Sequence, residues 1–150
     1  MTDEISLSVD KAGMVLGLRV HDGYLYKLAF LDSSNLHLGI RRSSGGLIAV
    51  DLIGLGELTV AGLWNGAIVA ELFQWKVNAV PDEAHWNVLL SGKVSRVTPN
   101  AMRAAVLDIV HGRPTSFLVQ VNFSYGGSIA AVCDRLAAHE IQADPAPEGE

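Results

Sequence analysis

The sequence predicts a mainly β fold, an antiparallel sandwich or barrel of about eight strands with one helix near residues 99–111. Two observations carry this prediction. From Gly23 onwards, apolar residues alternate with polar or small ones in short runs, and Gly, Asn, Asp or Ser closes each run. Near the last third of the chain, Thr98 and Pro99 precede a helix-compatible segment that ends before Gly112.

The first predicted hairpin joins residues 24–31 to residues 36–41. In the second segment an apolar residue occupies every second position, as expected for a strand with one buried face. The sequence Asp-Ser-Ser-Asn at positions 32–35 is typical of a turn because its side chains bond to nearby backbone groups.

Further strands are predicted after a Ser-Ser-Gly-Gly turn at residues 43–46. Residues 47–53 form the next one. The dipeptide Asn65-Gly66 then separates two β-like runs, and because both residues tolerate positive φ, it predicts a second hairpin. Another strand is predicted over residues 86–97.

The predicted helix begins at Thr98, since Thr caps helix N-termini and Pro99 suits the first helical position. The segment from Ser128 is open between two alternatives. Its apolar residues recur at helical spacing, whereas the Gly126-Gly127 pair before it is typical of a turn that closes a hairpin. Residue spacing favours a helix, and the turn favours a strand.

The 150 residues are expected to form a single domain over residues 1–141, followed by a disordered acidic tail over residues 142–150. The net charge is −5, but the last twelve residues hold four acidic side chains and no Lys or Arg, which leaves 12 acidic against 11 basic residues elsewhere. A body so close to neutral has no field that would attract nucleic acid, so no nucleic-acid partner is predicted. It also offers little charge repulsion between copies, which favours a homo-oligomer.

The single cysteine, Cys133, cannot form an intramolecular disulfide, and the first residues are acidic where a secretory signal is basic. We therefore expect a cytoplasmic protein. The most apolar stretch, residues 47–60, contains two acidic residues and two glycines and is shorter than the ~20 residues of a membrane-spanning helix. No membrane association is predicted.

Two acid–imidazole pairs are candidate chemical sites. His21 and Asp22 could act as a base and its orienting carboxylate, but neighbours on a strand point to opposite faces, so a turn with a structural or binding role is favoured. Asp108 and His111 share one face of the predicted helix, where an ion pair is favoured over metal ligation. The other histidines lie at no ligand spacing, and no metal and no cofactor are predicted.

The common catalytic signatures are missing from the chain: it contains no GxSxG, P-loop, HExxH or CxxC motif. Gly54-Leu55-Gly56 resembles the start of a dinucleotide-binding loop, but a β-like run follows it, so a bend is favoured. Cys133 lies beside Asp134, which disfavours a reactive thiolate and favours a buried core residue. A non-enzymatic protein is therefore expected.

The conspicuous side chains that remain are aromatic. Most should belong to the core, but exposed aromatic rings are also the usual anchors of protein interfaces. The predicted binding residues are accordingly His21, Asp22, Trp64, Trp75, Trp86 and Tyr125.

Three segments carry a resemblance to a known class of proteins: HDGYLYKLAF from His21, GLWNGAIVAELFQW around Asn65, and FSYGGSIAAVCDRL from Phe123. They resemble small bacterial mainly-β proteins of the immunity-protein-like kind, which have a His-Asp start and a Ser-Tyr-Gly turn before a Cys-containing strand. The resemblance implies an all-β fold, a strand from Ser128, and a function of neutralising a partner protein by binding it.

These observations favour a protein-binding module without enzymatic activity, immunity-like if the resemblance holds. The main alternative is a β-barrel that holds a small molecule or a lipid, since barrels of about eight strands can enclose one such ligand. An enzyme that uses His21 and Asp22 is the least favoured alternative.

Overall fold

The computed structural model describes residues 4–64, 66–91 and 98–142. These residues form ten strands and two helices. In chain order the elements are β1 (Ser8–Val9), β2 (Val15–Leu16), β3 (Tyr24–Asp32), β4 (Asn35–Arg41), β5 (Leu47–Ile53), β6 (Glu57–Ala61), β7 (Val69–Lys76), α1 (Glu83–Leu90), α2 (Pro99–Gly112), β8 (Phe117–Phe123), β9 (Ser128–Cys133) and β10 (Arg135–Ile141).

Two four-stranded antiparallel sheets face one another. The front sheet has the order β10-β5-β4-β3, and the back sheet has the order β6-β9-β8-β7. β1 and β2 form a separate two-stranded ribbon. The mainly β, antiparallel class predicted from the sequence is confirmed, in the form of a sandwich and not a closed barrel.

The space between the sheets is filled by apolar side chains from both inner faces. Leu36, Leu38 and Ile40 point inwards from β4, as their alternation predicts, and each is almost fully buried. Side chains from β8 and β9 meet them from the back sheet. Burial of each Leu or Ile of this kind contributes about 1.5–3 kcal/mol to folding.

The two helices cover the outer face of the back sheet and create a second apolar layer. Trp86 and Leu89 of α1 pack there with Leu118 and Val132 of the sheet. Strands β8 and β9 are consequently buried on both faces. In β9, apolar residues do not alternate with polar ones, which explains why spacing alone was ambiguous after Ser128.

A strand begins at Ser128, as the turn and the resemblance implied, and the helical interpretation of the spacing is wrong; the segment forms two strands instead of one. β9 belongs to the back sheet and β10 to the front sheet, and Asp134 lies between them. Its backbone N–H donates to the carbonyl of Ile53, at the end of β5. There the chain also crosses between the sheets, from β5 to β6. The chain therefore changes sheets at Asp134.

The predicted hairpin at Asn65-Gly66 is wrong. β6 and β7 lie at opposite edges of the back sheet, because β6 pairs with β9 and β7 pairs with β8. The connection between them runs from one edge of the back sheet to the other and contacts the β8–β9 turn through Gly62 and Gly127. Asn65 itself lies outside the described residues.

The predicted strand over residues 86–97 is wrong where the structure describes it, since residues 86–90 belong to α1. The Asp82 carboxylate caps this helix by accepting the backbone N–H of Ala84 at 2.9 Å. Trp86, Leu89 and Leu90 recur at helical spacing and are the buried residues of α1. Residues 92–97 lie outside the described part of the chain.

Two further elements match their predictions. β3 and β4 pair as the hairpin predicted around residues 32–35. α2 begins after Thr98, whose Oγ1 accepts the Ala101 backbone N–H at 3.2 Å, and it spans the residues predicted to be helical.

No helix in the described ranges is long and apolar enough to cross a membrane. The predicted tail begins at the end of β10, and residues 143–150 lie outside the described ranges.

Candidate functional site

The first candidate surface is the free edge of β3. This nine-residue strand pairs with β4 on one side. On its other side, within the described ranges, the backbone contacts are confined to the first two residues, where Tyr24 bridges Ile68 and the Leu25 N–H donates to the Ala67 carbonyl. From Tyr26 to Asp32, no described segment of the chain pairs with this side of the strand, and we call this stretch the bare edge.

Large apolar side chains lie along this bare edge. Phe30 is 62% exposed, Leu31 is 60% exposed and Leu28 is 39% exposed. Leu28 and Phe30 are opposite the buried residues Leu38 and Leu36 of β4, so they point to the inner face of the front sheet. They lie where the core ends, and water reaches them.

The polar side chains of β3 lie on its other face. These are Lys27 and Asp32, which are opposite Gly39 and Asn35 on the outer face of the front sheet. Ala29 lies between them on the same face, opposite His37. The Asp32 carboxylate accepts the Ser34 backbone N–H at 2.8 Å and the Asn35 side-chain amide at 2.7 Å. These hydrogen bonds, the backbone one first, lower the pKa of Asp32, so the side chain is negatively charged at neutral pH.

The second candidate surface is a pair of aromatic rings. Trp64 lies on the β6–β7 connection and Tyr125 on the β8–β9 turn, and their side chains are 51% and 77% exposed. The ring centroids are 6.4 Å apart with an interplanar angle of 58°, a tilted arrangement that aromatic pairs favour.

Close backbone contact holds the two loops that carry these rings. A Cβ atom at Gly127 would lie 2.6 Å from the Gly62 carbonyl oxygen, so only glycine permits this approach. Both glycines have positive φ. On the other side of the turn, the Ser124 N–H donates to the Ile68 carbonyl at 2.9 Å. The aromatic pair therefore projects from loops that support one another at both ends.

The other two tryptophans predicted as binding residues are buried. The Trp75 ring stacks on Phe73 with centroids 5.0 Å apart and contacts the His85 ring at 4.1 Å. Its indole N–H donates to the Ala12 carbonyl at 2.9 Å. Trp86 lies in the layer between α1 and the back sheet. Both side chains support the fold.

His21 and Asp22 lie in the turn before β3, and their side chains are exposed. His21 Nδ1 is 2.8 Å from the Ala70 carbonyl, so this nitrogen donates the hydrogen bond and Nε2 faces the Asp22 carboxylate at 3.5 Å. Asp22 has a φ of +64°, and its backbone N–H donates to the Val69 carbonyl. The contacts of this turn attach it to β7.

A third polar cluster, which sequence reasoning missed, lies on the outer face of the front sheet. His37 Nδ1 is 2.7 Å from Asp51 Oδ1, and His139 Nδ1 is 4.0 Å from Asp51 Oδ2. The predicted turn at residues 43–46 held the signal: if β4 and β5 pair across it with Arg41 opposite Leu47, His37 lies opposite Asp51.

The described residues hold no cluster of three or more His, Cys, Asp or Glu side chains arranged to bind a metal ion. Asp108 and His111 are both exposed on α2. Cys133 is buried, as predicted, and burial raises the pKa of its thiol to about 12, which keeps the thiol protonated and unreactive at neutral pH.

Arg113 and Asp134 form an ion pair at the corner where the chain changes sheets. The guanidinium lies 2.7 Å from the Asp134 carboxylate and also donates to the Gly54 carbonyl, and Ser116 Oγ donates to the same carboxylate at 3.0 Å. These hydrogen bonds, that of Arg113 first, lower the pKa of Asp134. Gly54 and Gly56 thus belong to a bend, as predicted.

Comparison with known proteins found no match: no family model, curated protein or solved structure corresponds to this chain. The resemblance to immunity-like proteins therefore stays a prediction.

Proposed function

We propose that this protein is a non-enzymatic protein-binding module that contacts its partner through Trp64 and Tyr125. The observation that carries this proposal is the exposure of two large aromatic rings on loops whose backbones are held in contact through Gly62 and Gly127. Aromatic rings anchor protein interfaces because they bury a large area and lose little conformational entropy. Rings on supported loops are already placed for binding.

A protein partner fits this surface better than a charged ligand does. The side chains that project here are aromatic, and the body of the protein is nearly neutral outside its acidic C-terminal end. If the resemblance to immunity-like proteins holds, the partner is a protein that is neutralised in the complex. The single buried cysteine is compatible with action in the cytoplasm.

The test is affinity capture from a lysate of the source organism with three tagged baits: the wild type, the double variant Trp64→Ala/Tyr125→Ala, and Leu107→Ala. Leu107 is the matched control because it is an exposed apolar residue on α2, away from the two loops. The proposal predicts a stoichiometric partner on the wild type and on the control. Loss of both aromatic rings should weaken binding by at least ~30-fold.

The melting temperature of each bait provides the folding control. It should stay nearly unchanged in the double variant, since both side chains are largely exposed. A partner that binds the double variant as well as the wild type would assign the interface elsewhere. Absence of any stoichiometric protein on the wild-type bait would contradict the protein-binding function.

A second candidate function is the binding of a small apolar ligand, the alternative raised by the sequence. The β-barrel form of that alternative does not hold, because the sheets form an open sandwich whose interior is filled by apolar side chains. A groove between α1 and α2, with a volume of about 480 Å³, is the candidate site for such a ligand. This volume lies within the usual range of ligand sites. Native mass spectrometry of freshly purified protein tests it: an added mass that Val106→Trp removes supports the candidate, and ligand-free protein from several expression hosts contradicts it.

A further inference from the structure

The bare edge of β3 presents unpaired backbone groups beside exposed apolar side chains. Such an edge readily pairs with another strand, and natural proteins usually protect it with charges, prolines, or a covering segment. Between Tyr26 and Asp32 this edge carries two charged residues and no proline. Within the described ranges, no segment of the chain covers it. A partner strand would satisfy both the backbone groups and the apolar side chains.

We propose that β3 pairs with β3 of a second copy of this chain, antiparallel and with the two-fold axis at Ala29, to join two front sheets into one of eight strands. The order of side chains along β3 carries this proposal. Lys27 and Asp32 are on the outer face on either side of Ala29, and Leu28 and Phe30 flank Ala29 on the inner face.

Rotation by 180° about Ala29 makes this edge complementary to itself. Leu28 of each copy then faces Phe30 of the other, which gives two apolar cross-strand pairs. Lys27 approaches Asp32 of the other copy, because the irregularity between Phe30 and Asp32 adds one residue on that side. Asp32 is ionised at neutral pH, so two opposite-charge contacts form, one at each end of the paired segment.

The rest of the surface favours a second copy. The net charge of −5 comes largely from the acidic C-terminal end, and the remaining body is nearly neutral, so two copies repel one another weakly. The contact uses the same patch on both copies, which is the arrangement of two-fold symmetric dimers. This inference is independent of the proposed function, since it involves neither Trp64 nor Tyr125.

Cysteine cross-linking tests the position of the two-fold axis. In the proposed dimer the two Ala29 residues are directly opposite, close enough for a disulfide in an Ala29→Cys variant. The native thiol does not compete, because Cys133 is buried. Under mild oxidation we expect Ala29→Cys to form cross-linked dimers at least ~10-fold faster than the control Leu107→Cys, although Leu107 on α2 is the more exposed position. Equal rates would overturn the proposed pairing.

Sedimentation equilibrium over a wide range of protein concentration measures the dimer without cross-linking. The wild type should dimerise, and Phe30→Lys should raise the dissociation constant at least ~30-fold by placing a charge opposite Leu28. Trp64→Ala/Tyr125→Ala should leave it unchanged, which separates this proposal from the proposed function. A wild type that stays monomeric overturns the proposal. This conclusion would stand even if Phe30→Lys prevented the capture of a different protein. Circular dichroism confirms that each variant is folded.

Discussion

β3 and β7 are both edge strands of four-stranded sheets, but among the described residues the second edge of β7 is covered, whereas that of β3 is contacted only at Tyr24 and Leu25. The N-terminal segment before β3 runs along β7, where the Gln74 N–H donates to the Gly13 carbonyl at 2.8 Å and the Val69 N–H donates to the Gly23 carbonyl at 2.7 Å. β3 has no such cover between Tyr26 and Asp32 within the described ranges. The difference shows which edge the fold protects and which it leaves available for pairing.

The same contrast holds for the side chains of the two strands. Trp75 of β7 is buried under the N-terminal segment and the helices, whereas Phe30 of β3 is largely exposed. We therefore expect β7 and its cover to stabilise the monomer, and the apolar side chains of β3 to contribute mainly when a partner strand is present.

The largest expected effect comes from truncating the aromatic residue of each strand. Trp75→Ala removes a buried ring and its hydrogen bond to Ala12, and should lower the free energy of unfolding by about 3–5 kcal/mol. Phe30→Ala should lower it by less than about 1 kcal/mol in the monomer. Urea denaturation at low protein concentration measures both values, and similar losses in the two variants would remove the distinction between the strands.

The cover on β7 can be tested next through Gly13. A Cβ atom at Gly13 would overlap the Trp75 indole, whereas a Cβ atom at Gly45 would meet nothing within 4 Å. Both glycines have φ near +95°, at +92° and +100°, so Gly45→Ala is a control for backbone strain alone. We expect a loss of about 1 kcal/mol for Gly45→Ala and about 2–4 kcal/mol for Gly13→Ala. Equal losses would show that the N-terminal segment is not packed on β7.

The smallest expected effect concerns the corner far from the bare edge, where Arg113 pairs with Asp134. Because the folded state lowers the pKa of Asp134, its contribution to stability is present above the ordinary value of 3.8 and is lost as the pH falls below it. The side chain is 62% exposed, so the contribution should be under about 1 kcal/mol after solvent screening. Asp134→Asn should thus destabilise the protein at pH 7 more than at pH 2.5, and an equal difference at both pH values would contradict this assignment.

Local signals in the sequence predicted the elements that local chemistry determines. The turn at residues 32–35 and the cap at Thr98 are properties of a few neighbouring residues, and both are present in the structure. The β4–β5 turn also determines the pairing of His37 with Asp51, because a hairpin turn sets the register of the two strands that it joins.

The failed predictions depend on contacts between distant segments. Asn65-Gly66 has hairpin chemistry, but β9 occupies the position beside β6 that β7 would have taken. β9 lacks the apolar–polar alternation of a half-buried strand because helices cover the back sheet. Trp86 belongs to one of these covering helices, α1. Of the predicted binding residues, the sequence could not separate the exposed Trp64 and Tyr125 from the buried Trp75 and Trp86, since exposure is decided by these layers.

Hydrogen exchange of the backbone amides at two protein concentrations shows whether the bare edge of β3 pairs with a strand of a second copy. At low concentration the amides of residues 26–32 that point away from β4 should exchange quickly, whereas the Val69 and Gln74 amides of β7 should be protected by their bonds to the N-terminal segment. At high concentration, protection should rise in β3 and stay constant in α1 and α2. Slow exchange along β3 at both concentrations, or fast exchange at both, would contradict this expectation.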